Sequence, residues 1–229
     1  MSSAVPETGY CEGVPVSSPA RPIVGLLRLA AGLTLVVALS FQIIEKVANN
    51  DMVPEEYFSY FTIQSSMIAS VALIVGGLMA LRMPSDTVLY TTVRMSVFAY
   101  AIVTAIVYNV LLRGIPEGGF IESRWPGELM HVWIPLFIAL DWLISPGRSA
   151  LRWTGLRYVV IYPLAWLAFT MLRGAVTGWY PYPFLEPSTG PLSISIYVLG
   201  ISVFIVGLAS LAIAWSRRKA PGRPAHELA

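Results

Sequence analysis

The chain is short of charge, of lysine, of cysteine and of histidine. Only 12% of its 229 residues are charged, where an ordinary soluble domain carries about 25%. That is too little to coat a water-soluble globule of this size. Cys11 is the single cysteine, so no intramolecular disulfide can form. His131 is the one histidine in an apolar stretch, and it has neither cysteine nor clustered carboxylates around it in the sequence. A zinc or haem centre is therefore excluded, and with no glycine-rich phosphate loop either, no metal and no cofactor are expected. A net charge of +2 gives no reason to expect a nucleic-acid partner.

What the chain has in quantity is apolar surface: 56% of residues are hydrophobic and the mean hydropathy is +0.68. At roughly 20 apolar residues per membrane crossing, its length allows about six crossings with short loops. The charged residues divide it accordingly. Helices are predicted at about 22–44, 57–81, 88–112, 128–145, 157–177 and 191–215. The predicted fold is all-α, a polytopic six-helix membrane bundle over 21–216. A flexible tail, 1–20, precedes it without the apolar run of a cleavable signal peptide, and a basic tail, 217–229, follows.

Loop charge predicts the orientation. With the N-terminus inside, Arg21, Arg28, Arg82, Arg94, Arg148, Arg152, Arg157, Arg217, Arg218, Lys219 and Arg223 fall on the inner side. Lys46, Arg113, Arg124 and Arg173 fall outside. This positive-inside bias puts both termini in the cytoplasm of a plasma or inner membrane.

Polar groups within an apolar bundle are costly and are functional candidates by default. By depth they form two layers. An inner layer holds Arg28, Arg94 and Asp141, and Asp141 is expected to pair with Arg94, Arg28 or both as a structural charge pair. An outer layer collects Gln42, Thr62, Asn109, His131, Arg173 and the segment around Tyr180. Thr62 is expected about 1.5 turns into the second helix, and His131 in the first turn of the fourth. Asp141 is ten residues from His131, about 15 Å along a helix, too far to orient its ring. The orienting group is therefore expected from another helix or a loop. Pro135 lacks an N–H, which frees the carbonyl of His131 and predicts a kink beside the histidine. Taken singly, each residue has a plain structural reading. Thr62 can bond back to a carbonyl one turn earlier, and Tyr57, Phe58, Tyr60 and Phe61 can form an interfacial belt.

Three strings carry a resemblance: YFTIQSS at 60–66, HVWIPLFIALDWL at 131–143, and YPLAWLAF…RGAVTGWYPYPFLEP at 162–187. Together they resemble the bacterial family of predicted six-transmembrane proteins. That family is distantly similar to the androgen-induced and androgen-dependent membrane hydrolases of animals, which cleave fatty acid esters with an intramembrane threonine and histidine. The resemblance implies that Thr62 and His131 are catalytic, with membrane lipids as partners and a fatty acyl ester as substrate. Gln42, Asn109, Arg173 and Tyr180 are the candidates for binding substrate or an oxyanion. Two other functions fit the same residues: a non-catalytic lipid or small-molecule binding protein, and a transporter. A cavity reaching both layers points to transport, and one ending at Thr62 and His131 points to hydrolysis or binding.

Overall fold

The computed structural model describes residues 18–115 and 120–218. Most of the expected 1–20 tail and the basic tail beyond Arg218 lie outside the described residues. Six helices are long and apolar enough to cross a membrane. They are α1 (Arg21–Ala48), α2 (Phe61–Arg82), α3 (Val88–Leu112), α4 (Arg124–Ile144), α5 (Trp153–Thr177) and α6 (Pro191–Arg218). No strand occurs among the described residues, so this is an all-α, multi-pass membrane architecture.

Local chemistry sets the helix ends. Pro22 opens α1, where its missing N–H costs nothing. Thr87 caps α3 by accepting the N–H of Tyr90. Gly178 closes α5 at φ 75°, a left-handed conformation that favours glycine. Five boundaries differ from the sequence expectation by about a turn; two of them lengthen α5 at its start, to Trp153, and α6 at its end, to Arg218. Helix α1 runs a turn further, through Glu45 and Lys46, because charged residues are good helix formers where the chain leaves the apolar layer. Helix α2 starts later, since Tyr57 belongs to a separate one-turn helix, Pro54–Tyr57. Helix α4 starts earlier, at Arg124.

Small residues decide the closest packing. A Cβ on Gly25 would sit 2.9 Å from the carbonyl oxygen of Gly77, and one on Gly32 would sit 3.1 Å from that of Ser70. Helices α1 and α2 thus meet backbone to backbone. Helix α3 touches α2, α4, α5 and α6 and forms the axis of the bundle. It also repairs two proline breaks. Pro135 in α4 and Pro163 in α5 each free the carbonyl four residues back. The Asn109 amide donates to the His131 carbonyl at 3.1 Å, and the Tyr100 hydroxyl donates to the Val159 carbonyl at 2.7 Å.

The end of the bundle formed by the start of α1, the α2–α3 link and the end of α4 holds a buried charge network. Asp141 accepts from Arg28 Nε at 2.9 Å and Arg94 Nη2 at 2.7 Å. Asp86 accepts from Arg21 Nη2 at 2.9 Å and Arg94 Nη1 at 2.6 Å. Ser145 donates to Asp141 as well, at 2.6 Å. Arg148, in the α4–α5 loop, lies over the Trp142 ring at 4.9 Å. Burial, then the neighbouring Arg94 charge, pushes its guanidinium down to about 10.

Candidate functional site

The opposite end contains the other polar layer. Thr62 is the second residue of α2, and Tyr60, at the N-cap, makes no side-chain cap bond there. The Thr62 N–H is thus one of the unsatisfied donors of a helix start, and it reaches the Tyr182 hydroxyl at 3.4 Å. Thr34, Thr91 and Thr92 all bond back to a carbonyl four residues earlier. Thr62 instead directs its Oγ1 at His131 Nε2, 3.4 Å away.

The depth expectations are both corrected, in opposite directions. Because α2 starts later, Thr62 lies in its first turn; because α4 starts earlier, His131 lies about two turns in. The orienting group is corrected too. It comes from the histidine's own helix: the Gly127 carbonyl, four residues back and 2.8 Å from Nδ1. A carbonyl only accepts, so Nδ1 carries the proton, and Nε2 presents its lone pair to the Thr62 hydroxyl.

Two π-turns shape this meeting. Tyr108–Leu112 ends α3 in one, and Leu129–Trp133 interrupts α4 in the other. A π-turn adds a residue to the helical register and is common at functional sites. Here the pair brings Tyr108 flat onto the His131 ring, with centroids 3.7 Å apart and planes at 15°. The break that Pro135 causes therefore appears as a π-turn in α4, with Asn109 filling the freed His131 carbonyl.

Thr62 and His131 lie on the wall of a 480 Å³ cavity that also takes in Gln42, Tyr57, Tyr60, Tyr180 and Tyr182. Thr62, Tyr108, Leu112 and Tyr182 are shared with a second, apolar space of 80 Å³ between α3, α5 and α6. No residue of the charge network lines either space. The threonine hydroxyl thus stands where a polar chamber meets an apolar groove.

The candidate donors separate by position. Gln42 is 8% exposed and accepts at Oε1 from the Tyr57 hydroxyl, 3.3 Å away, which directs its amide nitrogen to the cavity. Burial raises the Tyr57 pKa well above its ordinary value, so that hydroxyl remains a donor. Tyr180 lines the cavity and packs on Gly174, where a Cβ would meet its ring at 2.2 Å. Asn109 gives the cavity no donor, because both amide hydrogens go to carbonyls, of Ala105 and His131. Arg173 is outside the lining and lies over Trp179 at 4.5 Å. The belt reading of the aromatic cluster is corrected for Tyr57 and Tyr60, which face the cavity.

Sequence reasoning missed Gly127 and Tyr182. The position of Gly127, one turn before His131, is a signal that could have found it; Tyr182 has none beyond the aromatic run that contains it. Compared with protein-family models, curated proteins and solved structures, the chain matches none of them.

Proposed function

We propose that this protein is an intramembrane threonine hydrolase of lipid acyl esters, working at the outer leaflet of a plasma or inner membrane. The observation that carries the reading is the Thr62–His131–Gly127 relay. A hydroxyl not bonded back to its own helix faces an imidazole nitrogen whose partner nitrogen is tied to a carbonyl. In the first half-reaction Thr62 Oγ1 attacks the ester carbonyl and gives its proton to His131 Nε2. The tetrahedral intermediate collapses, and the alcohol leaves with that proton, giving an acyl-threonine. Water then attacks the acyl-threonine, and its proton passes to Nε2. The free acid leaves, and Thr62 Oγ1 recovers the proton. Throughout, Nδ1–H stays on the Gly127 carbonyl and keeps the ring in place. Gln42 and Tyr182 line the same cavity as Thr62, and the Gln42 amide and the Tyr182 hydroxyl are the candidate donors to the developing oxyanion.

The family resemblance selects the same two residues. The cavity that ends at Thr62 and His131, away from Asp141, supports hydrolysis over transport. The test compares detergent-purified wild type, Thr62→Ala and His131→Ala on a panel of lipid esters, with released fatty acid read by mass spectrometry. The expected result is turnover by the wild type only. Equal fatty acid release by all three proteins would overturn the reading.

A further inference from the structure

The chamber above Thr62 is acidic and aromatic, and this bears on what the leaving alcohol carries. Asp51, Glu56, Glu122 and Glu186 line it against one cation, Lys46. Lys46 already bonds to Asp51 at 3.2 Å and to Glu122. Glu56 and Glu186 lie in no ion pair among the described residues. Two carboxylates at a cavity wall, Glu56 half-buried and Glu186 exposed, repel an anion and attract a cation.

Three rings, Tyr57, Tyr60 and Tyr180, belong to the same wall. Rings hold cations by their faces, and a ring of them around carboxylates is the arrangement that binds quaternary ammonium groups. Two further rings of this wall already hold cations: Trp179 has Arg173 at 4.5 Å, and Tyr108 has Arg113 at 5.5 Å, which leaves Tyr57 and Tyr180 with no arginine over them among the described residues. An independent polar group aimed at the same chamber is Gln42. It is buried, its oxygen is held by Tyr57, and its amide nitrogen faces the chamber with no protein partner. A donor open to the chamber is placed to bond an ester carbonyl or its oxyanion.

We propose that the substrate is an acyl ester whose alcohol carries a cationic ammonium group. This rests on the hydrolase reading. The ammonium sits among Tyr57, Tyr60 and Tyr180, beside Glu56 and Glu186. The ester carbonyl meets Thr62 and Gln42, and the acyl chain enters the apolar groove, where Val107, Leu167 and Ile201 line its path. At 80 Å³ the groove takes the first few methylenes, and the rest of the chain runs out between α5 and α6 into the bilayer.

The test uses three decanoyl esters with the same chain: of choline, of glycerol and of an anionic hydroxy acid. Turnover is followed in the wild type and in Glu56→Lys/Glu186→Lys, and binding to Thr62→Ala by tryptophan fluorescence. The expected result is kcat/KM for the choline ester on the order of tenfold above the anionic ester, with the preference reversed in the double variant. Equal turnover of the three esters, or preference for the anionic one, overturns the proposal and leaves the hydrolase reading standing. Binding of decanoylcholine in preference to the anionic ester, weakened by the double substitution but without turnover in any protein, overturns the hydrolase reading and keeps the cation site. No turnover and no preferential binding overturns both.

Discussion

At one end of the bundle, Arg28 and Arg94 grip Asp141 at 2.9 and 2.7 Å beside a void of only 10 Å³, about the size that holds one water. At the other, Thr62 and His131 face each other at 3.4 Å on the wall of a 480 Å³ chamber. Both are polar clusters inside an apolar bundle, and their chemistry diverges through access: Arg28 Nη2 and two nitrogens of Arg148 lack a hydrogen-bond partner among the described residues, but no cavity of useful size reaches them. In the charge network both carboxylates are filled by short, charge-assisted bonds with no room for a third party, which suits holding helices together. The hydroxyl and imidazole are held from behind, by backbone and ring stacking, and are left open in front. Polar residues in a membrane bundle are therefore better sorted by access to a cavity than by depth alone.

The sharpest way to break this comparison is to remove one carboxylate. Asp141→Ala leaves Arg28 and Arg94 with half their partners, and the expected loss is about 3–5 kcal/mol, since a buried charge is left uncompensated. Thermal unfolding in detergent reads it. A melting temperature unchanged from wild type would mean the network does not hold the fold. His131→Ala should do the reverse: turnover falls by roughly two to four orders of magnitude, while stability changes far less than in Asp141→Ala.

A smaller contrast separates two proline repairs. Asn109→Leu and Tyr100→Phe each strip a partner from a proline-freed carbonyl and should each cost about 1–3 kcal/mol. Only Asn109→Leu also lets the His131 turn shift, so it alone should lower kcat, by about tenfold or more. If Tyr100→Phe lowered kcat as much, Asn109 would be structural support and not a positioning residue.

The scarcity of charge and the spacing of charged residues made the six helices legible, because a bilayer tolerates few sequence patterns. Two terms of the charge network were legible too, since an aspartate at membrane depth demands a cation. Asp86 was not. It stands in the short polar link after α2, where sequence reads a solvated loop, and only the fold turns it beneath Arg21 and Arg94. The surplus of arginines over carboxylates at that level was the available hint. At the site, Thr62 and His131 were legible from motif and level together. Their setting was not, because a π-turn has no sequence mark of its own. The orienting group, expected from another helix or a loop, is a carbonyl one turn back in the same helix. Arg173 and Asn109 were drawn to the site by depth, which says nothing of direction.

The charge network has a consequence for biosynthesis. Arg28 lies 113 residues ahead of Asp141, and Arg21 lies 65 ahead of Asp86. When α1 emerges from the ribosome neither carboxylate exists, and Arg28, about two turns into the helix, carries a cost that reaches about 2.5–3.5 kcal/mol for an arginine at a helix centre. Helix α1 therefore has reason to wait at the interface, or beside the insertion machinery, until α4 has been made. The first four helices then close as one unit around two aspartates. None of Arg21, Arg28, Asp86, Arg94 and Asp141 belongs to α5 or α6, which instead supply the wall that completes the groove beside Thr62.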